Sequence, residues 1–595
     1  MALEISLLGS PAVRRNGVRV APPRGNKAWA LLAYLVLSDQ PVSRIRVAAL
    51  LFPDANDPLA AVRWNLHELR RLIGMDDGLR GDPITVRLAP TDVLDVAVLR
   101  SGSWRQAVLV TNPTAELLQG LSFAGCPGFA AWLTAERRHL GSVAGAVLHE
   151  SVLARLTAGQ TDQATATAAE LVEANPYDEE LQELYVRCLL AAGDPVSARR
   201  QQQAAIDLVR HDLGVEPGPG LLTVGRNADD EVDGDVASIK AWSKLGLVWL
   251  HAGSYEPALT VMRRAIRAAR RQDDPALLLR VLLICGYGLR VSSLGAGAES
   301  TTVQHEAMAL AAQLGNESSL GVAELQYATT ELLRGQYSRA LHWADSAWTR
   351  CDGDPVKVSR VSTVRGTAIV DTGRYAEGID ELEKALRSAP IDADPRNAAY
   401  ALSMLGKAHL LRGDIGAAIE PLDQAIHLAR VHWIGLRPWP ESLRAEVALR
   451  CGQLERARQM FHEAYALARN FAYSPCWESA AARGLGLVAA ADGVVDRALT
   501  WFDDAYGRCA RGTATYQWVR CNALDSLCEL AVANAMPAAP AWLAAFEEQA
   551  ACLGMHGFLM RSAEHRHNLD RRLVSGDPGH LMSGVSVSGY GTARD

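Results

Sequence analysis

The sequence predicts a mainly α-helical chain that begins with a small α+β module and continues as a long array of helix pairs. Three observations support this fold class. Apolar residues make up 49% of the 595 residues and aromatic residues only 6%, a balance typical of helical proteins. Alternating, strand-like segments are concentrated in residues 1–97. Beyond residue 158, glycine and alanine recur at a fixed spacing, which is the pattern of helical repeats.

The N-terminal module opens with a predicted antiparallel sheet. Its segments "LEISLLG", "AVRR" and "GVRV" alternate apolar and polar residues, and Asn16-Gly17 is a strong hairpin signal. The helical periodicity of "RGNKAWALLAYLVL" predicts a first helix, and Ser43 is suited to cap a second one ending near Leu51. After a third helix, "LRGDPITVRLAPTDVLDV" predicts a strand, a turn and a strand. A sheet, three helices and a terminal hairpin together predict a winged helix-turn-helix.

The third helix, over residues 58–73, is predicted to be amphipathic because residues three or four apart share a helix face. One apolar stripe consists of Leu59, Val62, Leu66, Leu69 and Ile73. The opposite arc carries Ala60, Trp64, His67 and Arg71, with Arg63 at its edge and Arg70 nearer the core. The first 73 residues hold ten Lys and Arg against five Asp and Glu, although the whole chain has a net charge of -7. A basic module of this kind suits nucleic acid.

Two interpretations of this helix remain open from the residues alone. It is either an ordinary surface helix with Trp64 packed under the "FPDANDP" loop, or a DNA-binding helix with the Trp64 ring against a sugar or a thymine methyl group. The surrounding sequence favours the second interpretation.

At this point the chain resembles the SARP-type transcriptional activators of actinobacteria. The likeness lies in "ISLLG", "RGNKAWALLAYLVL", "VSRIRVAALLFPD", "LRRLIG" and "ITVRL…DVLDV", and continues into "FAGCPGFAAWLTAERRHL" and "LGVEPGPGL" over about residues 1–222. The resemblance implies an OmpR-like winged helix-turn-helix followed by a bacterial transcriptional activation domain. It also implies binding to promoter direct repeats as a dimer, recruitment of RNA polymerase, and target genes in secondary metabolism. Trp64 departs from the family, where a polar residue is commoner.

The rest of the chain is predicted to be tetratricopeptide-like. Gly159 and Gly193 lie thirty-four residues apart, each followed five residues later by alanine. In a second series, alanine follows each glycine by twelve residues; these glycines are Gly253, Gly335, Gly373, Gly413, Gly452 and Gly493, at spacings of 82, 38, 40, 39 and 41. The double gap predicts a degenerate unit at Gly295. We therefore expect a solenoid of about seven helix pairs without a deep pocket.

The sequence contains no catalytic or metal-binding motif that stands out. There is no phosphate-binding G-x-x-x-x-G-K-[ST] loop, and the ten cysteines form no CxxC pair. His565 and His567 lie in a polar helix and are expected to be solvated. We predict that the chain is not an enzyme and needs no cofactor. The longest apolar run, Ala28 to Leu37, is too short to span a membrane, and the expected location is the cytoplasm, at the nucleoid.

These observations predict five segments: a DNA-binding domain at 1–97, an activation domain at 98–224, a linker at 225–237, a repeat domain at 238–573 and a disordered tail at 574–595. The expected partners are double-stranded DNA, RNA polymerase, and a peptide, protein or small effector at the repeats. The predicted DNA-binding residues are Lys27, Ser43, Arg44, Arg63, Trp64, His67, Arg70, Arg71 and Arg87. The alternative is a repeat scaffold or sensor whose winged helix binds protein.

Overall fold

The computed structural model describes residues 3–38, 41–74, 79–89, 91–110, 112–224, 234–293, 297–470, 475–510 and 516–575. The chain divides into two compact units, residues 1–151 with 551–554, and residues 152–550 with 555–595. Most of the predicted linker and nearly all of the predicted tail lie outside the described residues.

The described residues of the first unit form six short strands and six helices. The strands are β1 (Leu3–Ser6), β2 (Ala12–Arg15), β3 (Val18–Arg19), β4 (Leu79–Arg80), β5 (Thr85–Val86) and β6 (Val93–Leu94). The helices are α1 (Asn26–Leu37), α2 (Arg44–Leu51), α3 (Pro58–Ile73), α4 (Asp95–Ser101), α5 (Trp104–Val110) and α6 (Pro127–Thr157), the last crossing the division between the units. The predicted opening sheet and three helices are confirmed, and a hairpin is formed by β4 and β5.

The four-stranded sheet has the order β3-β2-β1-β6. Asn16 and Gly17 both have positive φ, at 50° and 78°, as the tight turn between β2 and β3 requires. The segment "DVLDV" was expected to complete the terminal hairpin, and this was wrong. Its strand β6 instead pairs in parallel with β1, and α4 begins at Asp95. The buried Asp95 carboxylate accepts hydrogen bonds at 2.8 Å from the backbone N–H groups of Leu7 and Leu8. These hydrogen bonds hold the end of β6 beside β1.

The hairpin of β4 and β5 forms the wing. It is antiparallel, with Leu79 opposite Val86, and an isolated bridge joins Ile84 to Val42, just before α2. The wing is therefore tied directly to the start of the second helix.

A single hydrophobic core fills the first unit. It begins at Leu3, includes nearly all of α1, and extends to Val147 in α6. The Cys126 thiol lies 3.1 Å from the Leu51 carbonyl oxygen, so the segment before α6 contacts the end of α2. The core thus joins the winged helix to the helices that follow it.

The second unit is made of helices. Those before the linker are α7 (Thr161–Ala174), α8 (Glu179–Ala191), α9 (Pro195–Leu213) and α10 (Pro219–Thr223). The first four pairs after it are α11 (Val236–His251) with α12 (Tyr255–Arg270), α13 (Pro275–Ser293) with α14 (Ala298–Gln313), α15 (Glu317–Leu333) with α16 (Tyr337–Trp348), and α17 (Pro355–Asp371) with α18 (Tyr375–Ser388).

The next four pairs are α19 (Pro395–Arg412) with α20 (Ile415–His432), α21 (Pro438–Arg450) with α22 (Leu454–Asn470), α23 (Pro475–Ala491) with α24 (Val495–Ala510), and α25 (Gln517–Ala533) with α26 (Ala539–Cys552). The last helix is α27 (His556–Ser575). Within the described residues, no helix is both long enough and apolar enough to cross a membrane.

The predicted glycine and alanine register is confirmed. All six glycines of the second series have positive φ, between 75° and 98°, which lets the first helix of each pair end in a left-handed turn. The seven alanines twelve residues on are all buried; they are Ala265, Ala307, Ala347, Ala385, Ala425, Ala464 and Ala505. The degenerate Gly295 lies outside the described residues.

The described residues contain an eighth pair, α25 and α26, beyond the seven expected. Its turn has Ala535 at φ 50° at the position that glycine occupies in the six turns of the second series that the structure describes. The glycine pattern did not reveal this pair because the residue that carries the left-handed turn is different.

The repeats coil so that helices far apart in sequence touch. The Arg396 guanidinium donates to His251 Nδ1 at 3.2 Å, and the Tyr516 hydroxyl donates to Asp371 at 2.7 Å. Both contacts join residues 145 positions apart. Lys407 is fully buried between Asp371 and Tyr516, donating to the Tyr516 oxygen at 2.7 Å. These contacts connect successive turns of the solenoid.

The helices before the linker contact the repeats directly. Glu180 in α8 and Arg334, at the end of α15, form an ion pair at 3.2 Å, and Glu331 lies 3.3 Å from the same guanidinium. Burial raises the pKa of Glu180 to about 7, against the opposing effect of Arg334. Both partners are largely buried, so this ion pair places α8 in contact with the end of α15.

One expectation about histidine was wrong. His565 is not solvated but buried, with Nε2 2.8 Å from Asp525. Burial opposes the charge of Asp525, yet Arg561 and His565 hold the pKa of that carboxyl well below its usual value. Among the described residues, no group of three metal-binding side chains could hold an ion.

Candidate nucleic-acid interface

Helix α3 has well-defined ends. The Asp57 carboxylate accepts a hydrogen bond at 2.8 Å from the N–H of Ala60, and Pro58 occupies the first turn, both favourable at a helix start. At the other end Gly74 adopts φ 71°, which terminates the helix. The sequence alone therefore determines where this helix begins and ends.

The inner face of α3 packs into the core of the first unit. The buried residues of the predicted stripe are Val62, Leu66, Leu69 and Ile73, and Leu72 joins them. The inclusion of Leu59 in the stripe was wrong, because its side chain is 41% exposed. Leu59 lies in the first turn of α3.

The outer face of α3 brings together four of the predicted residues. Arg63, Trp64, His67 and Arg71 are all exposed, and Trp64 retains 46% of its accessible surface. Ala60, assigned to the same arc, is half-buried. Trp64 is therefore not packed as a core residue. The face combines positive charge, a ring and an imidazole, which are groups that contact phosphates, sugars and bases.

Two of these cations have carboxylate neighbours. Arg63 lies 3.7 Å from Asp57, and both side chains are more than half exposed. Arg71 donates to Glu68 at 3.0 Å, and this hydrogen bond lowers the pKa of the Glu68 carboxyl. Glu68 also accepts from the N–H of Arg24. The Glu68 carboxylate thus orients Arg71 while leaving the guanidinium about half exposed.

Arg70 has a different environment from the other predicted residues of α3. Its guanidinium donates two hydrogen bonds to the Leu79 carbonyl oxygen, at 3.0 and 2.7 Å. Arg70 therefore holds the first wing strand against α3. Arg87, after the second wing strand, is exposed.

The start of α2 faces the wing turn. Ser43 caps the helix by accepting from the N–H of Arg46 at 3.2 Å. The backbone N–H of Arg44 donates to Asp82 at 2.9 Å, and its Nε donates to the Gly81 carbonyl oxygen at 3.1 Å. Lys27, in α1, places its ammonium 4.8 Å from the centre of the Phe52 ring. Ser43 and Arg44 are thus brought together with the wing, as a helix-turn-helix requires.

Two exposed residues of α2 were not among the residues predicted from the sequence to contact DNA. Ile45 is 70% exposed, and the exposed Arg46 donates from Nε to the Tyr34 hydroxyl at 3.1 Å. The signal was available, since a helix that buries Val47, Ala48 and Leu51 must turn Ile45 outward.

The sequence also gave no sign of a cavity in the repeats. A cavity of about 400 Å³ lies among the first helices of successive pairs, where an extended concave surface without a deep catalytic pocket was expected. Its lining residues come from segments tens of positions apart, so no local pattern could indicate it.

Two family models match the chain. The bacterial transcriptional activator domain matches residues 94–227, and a tetratricopeptide repeat matches residues 363–430. These matches confirm the resemblance to the SARP-type activators with C-terminal repeats. Both families have regulatory or scaffolding roles. A search of curated proteins finds no significant match.

Three solved structures are similar to parts of the chain. Mycobacterium tuberculosis EmbR, in complex with a low affinity phosphopeptide, aligns with a TM-score of 0.30 and 20% identity over 38% of this chain and 64% of that one, just under two thirds of its length. A Rap protein complexed with competence and sporulation factor aligns with a TM-score of 0.36 and 13% identity, over 58% of this chain and 84% of the Rap chain. A tetratricopeptide repeat protein from Parabacteroides merdae aligns with a TM-score of 0.28 and 15% identity, over 46% of this chain and 93% of that protein.

Proposed function

We propose that this chain is a sequence-specific DNA-binding regulator of transcription, and most simply an activator. The observation that carries the proposal is the exposed face of α3, where Arg63, Trp64, His67 and Arg71 lie together in a winged helix. The match to a bacterial transcriptional activator domain directly after that fold supports it.

The proposed docking follows the usual geometry of the fold. Helix α3 enters the major groove, where His67 and Arg71 reach base edges and Trp64 lies against a sugar or thymine methyl group. The start of α2, with Ser43 and Arg44, meets a phosphate. Lys27 and Arg63 flank the groove, Arg87 and the wing reach the neighbouring minor groove, and Arg70 keeps the wing in position.

The remaining parts of the proposal concern partners. We propose that dimers bind direct repeats at promoters, that the activator domain recruits RNA polymerase, and that a peptide, protein or small effector at the repeats modulates this activity. Regulation would take place in the cytoplasm at the nucleoid. The ion pair between Glu180 and Arg334 supports a physical connection between the activator helices and the repeats.

A mobility shift of the full chain on its own upstream DNA tests the proposal. Because phosphate contacts release counterions, we expect affinity to fall steeply as salt is raised, with specific DNA retained longer than a scrambled duplex. The alternative is a scaffold whose winged helix binds protein. Absence of any salt-sensitive DNA binding would favour that alternative and contradict the proposal.

A further inference from the structure

The cavity in the repeats is built by the first helices of five successive pairs. Residues of α11, α13, α15, α17 and α19 line it, and the segment around Trp433 covers one side. Trp433 packs against Leu250 and Tyr255 of the first pair. The site is a partly enclosed cavity of about 400 Å³, a size that suits one small organic molecule.

Much of the cavity wall is apolar. Leu283, Leu325, Val364 and Trp433 contribute to it, together with the ring of Tyr400. A wall of this kind gains free energy by covering a hydrocarbon or aromatic body. The ligand must therefore have a substantial apolar part.

Five cationic residues also line the cavity, and three of them have local partners. Arg350 pairs with Glu317 at 2.9 Å and Glu324 at 3.1 Å, while Arg360 pairs with Asp394 at 2.6 Å. Lys357 donates to the Ser318 hydroxyl at 3.0 Å. The two other cations are Arg290 and Arg396.

Arg290 and Arg396 have no carboxylate partner among the described residues. The Arg290 guanidinium lies 5.2 Å from the centre of the Tyr287 ring, and its buried Nε has no hydrogen-bond partner. Arg396 donates to His251, whose pKa is lowered to about 4 by burial and by Arg396 itself, so the imidazole is neutral. Arg290 is half-buried, and a buried cation without an anion is costly, whereas Arg396 is exposed to solvent. Lys357, whose partner is a neutral hydroxyl, also lacks a carboxylate partner among the described residues. Arg290, Arg396 and Lys357 thus place three uncompensated positive charges beside an apolar wall.

We propose that this cavity binds a small amphipathic organic acid. Its anionic head group pairs with Arg290 and Arg396, and its hydrocarbon or aromatic body covers the apolar wall. Binding of this ligand does not depend on the DNA-binding proposal; only its effect on transcription rests on that proposed function.

Isothermal titration of the full chain with decanoate, and with the neutral analogue 1-decanol, tests the proposal without DNA. We expect one saturable site that prefers decanoate by about tenfold or more, because the head group gains charge-assisted hydrogen bonds. Absence of saturable binding, or equal affinity for the two probes, would overturn the proposal.

Matched variants locate the site. Arg290→Gln and Arg396→Gln should each remove most of the preference for decanoate, while Arg387→Gln, an exposed arginine outside the cavity, should leave it unchanged. Val322→Trp should fill the cavity and weaken both probes. Retained preference in both folded arginine variants would contradict the proposal. If either arginine variant fails to fold, the other arginine variant and Val322→Trp decide the question.

Discussion

Arg71 and His67 are the residues of α3 best placed to read DNA sequence, because both are exposed on the face turned away from Leu66. We expect Arg71→Ala and His67→Ala each to weaken specific binding by about 1–3 kcal/mol, with a smaller effect on non-specific binding. Competition assays with operator and scrambled DNA measure both quantities.

Arg44→Ala should behave differently and weaken binding to all sequences alike, since a phosphate contact carries no sequence information. Arg14, exposed on β2 away from α3, provides the control, and Arg14→Ala should leave both affinities unchanged. A folded Arg71→Ala variant with an unaltered footprint would show that the proposed orientation of the helix is wrong.

Trp64 offers a second test at the same scale. Its side chain is 46% exposed, so removing the ring should cost little stability while it weakens DNA binding through loss of a sugar or methyl contact. Thermal melts and DNA titrations of Trp64→Ala separate the two effects. A fall of several degrees in the melting temperature with unchanged DNA affinity would instead support a packing role.

Side-chain environments were predictable only where the helix period decides them. The period correctly placed Trp64 and His67 outside and Leu66 inside. It failed for Leu59, which is 41% exposed in the first turn of α3, and for His565, which is buried beside Asp525 forty residues away. Exposure set by tertiary neighbours is not contained in a local pattern.

At the scale of elements, the turn between α25 and α26 differs from the other repeat turns. Ala535 adopts φ 50°, a conformation that glycine adopts without steric cost. We expect Ala535→Gly to stabilise the last helix pair by up to about 1 kcal/mol. Amide hydrogen exchange of α25 and α26 measures this change locally.

Gly452→Ala is the matched reverse substitution. Gly452 has φ 75°, and an added Cβ would meet no atom within 4 Å, so the change tests backbone conformation alone. It should destabilise its pair by about 1 kcal/mol. If Ala535→Gly reduces protection or Gly452→Ala increases it, left-handed turns do not limit the stability of these repeats.

The elements themselves were largely predictable, since caps, turn residues and periodicity are local. Residues 58–73 were predicted as a helix, and Asp57 and Gly74 delimit exactly that range. The pairing of "DVLDV" with β1 was not predictable, because it depends on hydrogen bonds from Leu7 and Leu8 to Asp95, almost ninety positions away in sequence.

Glu180 should make the contact between the activator helices and the repeats sensitive to pH. Its pKa in the folded chain is about 7, above the ordinary 4.5. The folded state therefore binds the extra proton between these values, and the stabilisation present at low pH is lost as pH rises through 7. Glu180→Gln removes this loss. The difference in free energy of unfolding between the variant and the wild type should therefore increase, in favour of the variant, by up to roughly 3 kcal/mol from about pH 5 to about pH 8.

Hydrogen exchange of α8 at the two pH values measures this gain. Glu455→Gln, at a side chain that is 84% exposed, is the control and should follow the wild type. Parallel pH profiles for Glu180→Gln and wild type would show that the protonation state of Glu180 does not affect this contact.

Removal of the repeats should change the regulation of transcription. A chain ending after residue 225 lacks Arg334 and the cavity, so any signal received by the repeats can no longer reach the activator helices through Glu180. We expect its transcriptional output to differ from that of the full chain in at least one growth condition, as coupling between sites requires. Identical DNA binding and activation by both chains under every condition tried would reject a sensory role for the repeats.

The contacts between residues 145 positions apart also bear on how such a chain can evolve. With units of 38 to 41 residues, one coil takes roughly three and a half helix pairs. Loss or duplication of a single pair would rotate everything after it by a fraction of a coil. A change between residues 251 and 396 would move Arg396 away from His251, and one between residues 371 and 516 would move Tyr516 away from Asp371. Contacts of this kind constrain the number of helix pairs between their partners, so that gain or loss of a pair there would break them.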